Sequence, residues 1–318
     1  PVRDEEGTWV KIQIDLPERV LFAKLWKAQV GRISLFLLDA DIEENQESDR
    51  IITHHLYGGD RENRLKQELL LGIGGMRALQ KLDITPDIYH LNEGHAAFNG
   101  LERLRILVKG GLSYPQAVEV IRSSSLFTTH TPVPAGHDSF AEAMLWPYLS
   151  DYTNAMSLPW EKFMALGRID ANNRDEEFSM SHLAVKLSQE VNGVSKIHGE
   201  VSRNMFQQLY PGFEPEELHI GYVTNGVHYY TWTSQEFQEL YAKTFGKNFL
   251  KNQSQVKYWE KIQAINDLEL VNLKRGLKKK LIETVKKRVE RSMQERHESP
   301  QKTLDIINSF NEDTLIFG

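Results

Sequence analysis

The sequence predicts an α/β fold built on a mostly parallel sheet flanked by helices, and two observations carry that prediction. Short apolar or alternating runs that read as strands are separated by longer runs with apolar residues at steps of three and four. Alternation of this kind is the pattern of a parallel sheet with helices on its faces. The strand-like runs end in polar clusters, and in open α/β sheets ligands bind beyond the carboxyl ends of the strands.

The elements follow in order. "TWVKIQID" alternates polar and apolar residues and reads as a strand. "RVLFAKLWKAQVGRISLFLLDAD" gives a second strand and then a buried one, Ile33 to Asp39. From Asp60, "DRENRLKQELLLGIGGMRALQKL" reads as a helix with Asp60 as N-cap and Leu65, Leu69, Ile73, Met76 and Leu79 on one face. Gly72, Gly74 and Gly75 each cost such a helix about 1 kcal/mol relative to Ala, so close packing against another backbone is expected there. "GIGG" lies inside the helix and is not a nucleotide fingerprint. "DIYHLN" is a strand, "AAFNGLERLRILVKGG" a helix, and Ser113 with Pro115 starts the next, "YPQAVEVIRSS". "SLFTTH" is a strand, followed by "TPVPAGHD" and the helix "SFAEAMLWPYL". Ser181 to Leu209 reads as one long helical region, bent or broken at Asn192-Gly193. "LHIGYVTN" is the next strand and "GVHYYTW" its exit loop. Tyr258 to Arg296 is a charged helix, docked by Leu273, Leu277, Leu281, Val285 and Val289.

Composition narrows the function. The 318 residues are 40% hydrophobic and 26% charged, an ordinary globular balance. A net charge of -6 argues against a general nucleic-acid binder. The basic run "LKRGLKKKLIETVKKRVERS" interleaves apolar residues but no aromatic ones, as a solvated helix face does. With no cysteine, a disulfide framework, Cys-ligated zinc and a thiol nucleophile are excluded. Apolar runs are too short to span a bilayer, and no signal peptide is visible. Both ends read as cut: the first residue is Pro1, and "DTLIFG" reads as a strand entering a glycine turn. A fragment of a longer protein is therefore expected.

Four strand exits gather the candidate chemistry: Asp39 and Asp41; Asn92, Glu93 and His95; His130, His137 and Asp138; Asn225 and His228. One His or Asn after a strand commonly just caps the next helix. Several clusters at successive exits point instead to a shared crevice. His54-His55 reads as a loop pair without a role. No metal is assigned, because His90 lies in a strand that turns it away from the neighbours of Asn92, and no ligand-spaced pair such as HExxH stands on a helix. Asn, His, Asp and Glu at strand ends suit neutral polyhydroxyl ligands, whose hydroxyls both donate and accept. Aromatic residues as in "HYYTW" offer apolar faces to sugar rings.

The motifs "LYGGDRENRLKQELLLGIGGMRAL", "HLNEGHAAF", "LFTTHTPVPAGHD", "VNGVSKIHGEVSRNM" and "GYVTNGVHYYTW" cover Tyr57 to Trp232. In this order they resemble the α-glucan (glycogen, starch, maltodextrin) phosphorylases, most closely the short bacterial and archaeal branch. The resemblance implies the N-terminal lobe of a two-lobed GT-B glycosyltransferase arrangement, truncated at both ends. Residues 1–257 would form the sugar-binding Rossmann-like lobe, 258–312 a helical link, and 313–318 the first strand of the second lobe. It implies phosphorolysis of α-1,4-glucans by inorganic phosphate to α-glucose 1-phosphate, in the cytoplasm, and it allows a homodimer of the full-length form. It also implies pyridoxal phosphate, whose attachment lysine would lie beyond Gly318, so the chain made alone is expected not to catalyse phosphorolysis.

Carried over motif by motif, His130 becomes a substrate contact, and Asn92, Glu93 and His95 match the branch's own pattern. Asn192 matches the "NGV" motif, and Gln189 stands where animal and plant phosphorylases usually carry a His. Asp60 lies in a gate loop that is shorter here, and Asn225 and His228 belong to the last exit. No catalytic, cofactor-binding or metal-ligating residue is assigned within the chain. A nucleotide-sugar glycosyltransferase such as a glycogen or starch synthase shares "TNGV" and "HTP", but "RLKQE", "HLNEGHAAF" and "NGVSKIHGEVS" favour the phosphorylases. A non-catalytic glucan-binding module is the third reading.

Overall fold

The computed structural model describes residues 1–56, 58–133, 136–313 and 315. They fall into two compact units, Pro1–Asn225 and Gly226–Gly318. The division thus lies upstream of the change of character read at residue 257. Of the strand expected over 313–318, only Asp313 and Leu315 are among the described residues.

The first unit opens with an antiparallel meander, β1 (Lys11–Leu16), β2 (Arg19–Val30) and β3 (Ile33–Asp39). Alternation sets its two faces. Ile12, Ile14, Leu21, Ala23 and Leu25 are buried. Val30 pairs with Ile33 across Gly31-Arg32, with Gly31 at φ 57° in the left-handed region. The expectation of a buried strand at Ile33 to Asp39 fails here. Ile33, Leu35 and Leu37 are 55%, 45% and 53% exposed, because β3 is the edge of a separate sheet with one face uncovered. Its exit therefore does not join the parallel sheet. Asp39 accepts from Trp26 Nε1 at 2.9 Å instead.

After the short helix α1 (Glu47–Arg50), the helix expected from Asp60 forms as α2 (Arg61–Leu69), a π turn (Leu70–Gly74) and α3 (Gly75–Lys81). Asp60 caps it by accepting from the Asn63 backbone N–H at 2.8 Å. The glycines divide by cause. A Cβ on Gly72 would lie 2.7 Å from Phe98 Cβ and 2.8 Å from Asn99 N, so the helix touches the next backbone there. Gly75 faces open space, and packing does not account for it.

The parallel sheet then builds up. β4 (Tyr89–Asn92) is followed by α4 (Phe98–Lys109) and α5 (Tyr114–Ser123), the latter started by Ser113, whose backbone N–H donates to Gln116 Oε1 at 3.0 Å. β5 (Ser125–Thr128) precedes a two-stranded antiparallel pair, β6 (Ser139–Phe140) and β7 (Phe178–Ser179), which encloses α6 (Glu142–Asn154) and α7 (Trp160–Gly167). α8 (Met180–Lys186) leads to β8 (Glu190–Gly193), α9 (Lys196–Phe206) and β9 (Ile220–Tyr222). The sheet order is β4-β5-β8-β9, all parallel, with α5 on β5 and α9 on β8 and β9. The long helix expected from Ser181 to Leu209 is corrected by β8. A buried four-residue strand sits in its middle, and Asn192-Gly193 is that strand's exit rather than a helical bend. One core of residues such as Leu65, Phe98, Phe127, Phe178 and Val191 joins meander, helices and sheet.

The second unit is helical: α10 (Tyr229–Trp232), α11 (Gln235–Phe245), α12 (Val256–Trp259), α13 (Asp267–Glu295) and α14 (Pro300–Ser309). The single charged helix expected from Tyr258 is interrupted, because Glu260–Ala264 tightens to a 3₁₀ turn and α13 starts afresh at the Asn266 cap. Tyr229, Phe245 and Phe249 form its small aromatic core. On α13, Ile282 and Met293 are buried while Leu281 of the expected stripe is 49% exposed.

Candidate functional site

Parallel pairing places successive carboxyl ends on one edge of the sheet. The register aligns Asn92 with Thr128 and Thr128 with Asn192, so the last residues of β4 and β5 share a rung with the penultimate residue of β8. Neighbouring strands stand about 4.8 Å apart, close enough for side chains on one rung to touch. They do so in a directed chain. Thr128 Oγ1 donates to Asn192 Oδ1 at 2.9 Å, which leaves it to accept from His90 Nε2 at 2.7 Å. His90 and Asn92 are two residues apart and share a face. The expectation that the strand turns His90 away from the neighbours of Asn92 is thus corrected. Asn192 is 9% exposed, with its amide donating to the Gly193 carbonyl at 3.0 Å.

The second half of the site is the turn after β5. His130 Nε2 meets Asn92 Oδ1 at 2.6 Å. The Glu93 carboxylate accepts from the His130 backbone N–H and, at 3.0 Å, from Thr131 Oγ1. Asn92, Glu93, His130 and Asn192 are therefore brought together, with His90, Thr128 and Thr131 as members the sequence reading did not assign. Period-two spacing in "YHLN" and the shared ending of "SLFTT" were the available signals.

Among the described residues, the other candidates form no hydrogen bond with these. Gln189 precedes β8, at its amino end; its backbone N–H donates to the Arg122 carbonyl at 3.0 Å. Asn225 is exposed beyond β9, its backbone N–H donating to the Val194 carbonyl at 3.1 Å. Asp60 is the helix cap described above. His228 belongs to the second unit, where its Nδ1 bonds Thr231 Oγ1 at 2.7 Å and caps α10.

His95 enters a different cluster. Its Nδ1 lies 3.2 Å from Asp138 Oδ2 and 3.7 Å from Glu68 Oε1, and it also contacts Arg64 Nη2. Arg64 lies 2.9 Å from Asp138 and 3.2 Å from Glu68. Glu68 is 1% exposed, and neither oxygen makes an aligned hydrogen bond despite the Arg64 approach. Burial pushes the Glu68 carboxyl up to about 8. Asp138 and then Glu68 raise His95 to about 9. Burial alone would raise Asp138, yet His95 and Arg64 hold it well below the usual carboxylate range. Glu68, His95 and Asp138 have the spacing of a cation site, their ligand atoms within 4.8 Å of one another. The Arg64 guanidinium already stands among them as the resident cation. His137, bonded to Ser181 Oγ at 2.5 Å, is lowered by burial.

The linked residues at the strand exits include no lysine, so they do not by themselves fit a Schiff-base cofactor. Apart from the Glu93 carboxylate, which is taken up by the turn carrying His130, they offer a row of neutral donors and acceptors beside one half-buried imidazole, suited to hydroxyl groups rather than to an ion. No helix among the described residues is long and apolar enough to cross a membrane.

A family model described as carbohydrate phosphorylase matches residues 24–299. The chain is 40% identical over 99% of its length to a glycogen phosphorylase of Mycobacterium tuberculosis, of which it covers 37%. It is 36% identical over its whole length to a maltodextrin phosphorylase of Thermococcus litoralis, again covering 37%. Against a glycogen phosphorylase of Aquifex aeolicus it is 34% identical over 90% of the chain and covers 41% of that protein. The chain thus spans well under half the length of these curated relatives. The matches favour the phosphorylase reading over the nucleotide-sugar one.

Proposed function

We propose, from the premise that this chain belongs to the carbohydrate phosphorylase family, that its strand exits hold the glucosyl end of an α-1,4-glucan. The whole protein would transfer that unit to inorganic phosphate and release α-glucose 1-phosphate. The observation that carries this reading is the common rung of Asn92, Thr128 and Asn192 with His130 directly beside it. Neutral amides and one imidazole match sugar hydroxyls, whereas inorganic phosphate would call for arginine or lysine. The first unit is read as the N-terminal lobe of a GT-B arrangement, in a cytoplasmic and dimeric enzyme. Pyridoxal phosphate belongs to the reading of that whole enzyme.

The part played by this chain is binding and orientation. His130 is half-buried, with Nε2 committed to Asn92, which leaves Nδ1 as a hydrogen-bond acceptor for a hydroxyl. A sugar held there keeps its reacting end fixed relative to groups supplied from elsewhere. In the full-length gene product, His130→Ala is expected to cut phosphate-dependent glucose 1-phosphate release from maltoheptaose by roughly 100-fold in kcat/KM, on the order of 3 kcal/mol. The reading fails if the unsubstituted protein releases no glucose 1-phosphate, or if the variant matches it.

A further inference from the structure

We infer that Asn92 and Glu93 are positioning residues that lock His130 from two sides, one fixing its backbone and the other its imidazole tautomer. This deepens the proposed function and rests on it only for what the imidazole then meets.

The first observation is backbone strain. Glu93 has φ 66° and ψ 178°, a region essentially reserved for glycine. A non-glycine residue persists there only when its surroundings over-determine it. Here they do. The Glu93 backbone N–H donates to the Thr128 carbonyl at 2.9 Å. Its carboxylate takes both the His130 backbone N–H and the Thr131 hydroxyl, the latter at 3.0 Å. Glycine would accept the backbone without strain but could make neither carboxylate contact. A carboxylate thus stands where the backbone favours glycine, and both of its partners belong to the turn that carries His130. At 8% exposure, Glu93 has little surface left for a ligand.

The second observation is the direction of the imidazole bond. Asn92 Oδ1 can only accept, so His130 Nε2, at 2.6 Å, must carry the proton. Nδ1 keeps its lone pair and has no partner among the described residues. A group facing it must therefore donate, as a hydroxyl does and a carbonyl does not. Both clamps come from consecutive residues at the exit of β4 and close on one residue after β5, so the pairing of these two strands sets the geometry.

Amide hydrogen exchange and imidazole ¹⁵N spectra of this chain test the lock directly. The His130 amide is expected to exchange at least about tenfold faster in Glu93→Ala, since a hydrogen bond to a charged group is lost, and to stay protected in Glu93→Gln. Glu93→Gly keeps the assay decisive should the alanine variant unfold: relieved of strain, it is expected to fold and still to exchange faster at His130. The wild-type ring is expected to show a protonated Nε2 and a bare Nδ1. Asn92→Leu should mix the tautomers, and Asn92→Asp should restore the single one. Unchanged His130 exchange in Glu93→Gly, or a wild-type ring protonated on Nδ1, overturns the inference. No glucan enters these measurements. A lock that behaves as stated, with a full-length gene product that releases no glucose 1-phosphate, would sink the functional reading and leave the positioning roles standing.

Discussion

Between about pH 6 and about pH 9 the thermal midpoint of the first unit is expected to fall by roughly 6–12 °C, the equivalent of about 3 kcal/mol. The cause is the cluster of Glu68, His95, Asp138 and Arg64. Folding raises the Glu68 carboxyl from 4.5 to about 8 and the His95 imidazole from 6.5 to about 9. Both groups hold their protons more tightly folded than unfolded. Their stabilisation is complete below the unfolded values and is lost as pH rises through the folded ones. Asp138 acts oppositely, with stability lost as acid protonates it, but only below the pH of this experiment. His95 keeps 27% of its side chain exposed, so water screens part of its share of the loss. Glu68→Gln keeps the shape and removes one titration, so its midpoint should fall about half as far. A wild-type midpoint that holds or rises across this range contradicts the cluster's assignment, as does a variant that tracks the wild type.

Gly167→Ala is expected to destabilise the first unit by at least about 3 kcal/mol in urea unfolding. A Cβ there would lie 2.4 Å from Phe178 Cγ and Cδ2, inside any tolerated contact. Phe178 cannot easily yield. It is fully buried, stacked on Phe163 at 4.8 Å and on Phe98 at 6.4 Å. The ring also stands just before α8, whose first residue, Met180, donates its backbone N–H to the Asp138 carbonyl at 3.0 Å. Strain from Gly167 therefore reaches the polar cluster. A loss below about 1 kcal/mol would mean that the aromatic stack rearranges freely and does not anchor this region.

What the residues disclosed in advance depended on how local the signal was. Asp60 capping its helix, and "DIYHLN" and "SLFTTH" ending as parallel strands, are set by neighbours in sequence and were legible. β8 was not. Val191, Val194, Ile197 and Val201 happen to recur at helical spacing across a strand of four residues, too short to display its own alternation. The apolar run in β3 looked buried because sequence does not say whether a second layer covers the outer face. The His95 cluster joins Arg64, Glu68 and Asp138 across three elements, a juxtaposition that only the folded packing reveals. Asn192 was assigned by motif alone, while its bond to Thr128 required the register of the sheet.

The claim underlying all of this is that the exits of β4, β5 and β8 form one glucose-holding edge. Titration of the ¹⁵N-labelled chain with maltoheptaose, up to about 10 mM to reach weak affinities, tests it most directly. Saturable shifts centred on Asn92, His130 and Thr131, and lost in His130→Ala, are the predicted result. Binding whose shifts lie wholly within Gly226–Gly318, or no saturable response at any residue, would contradict it.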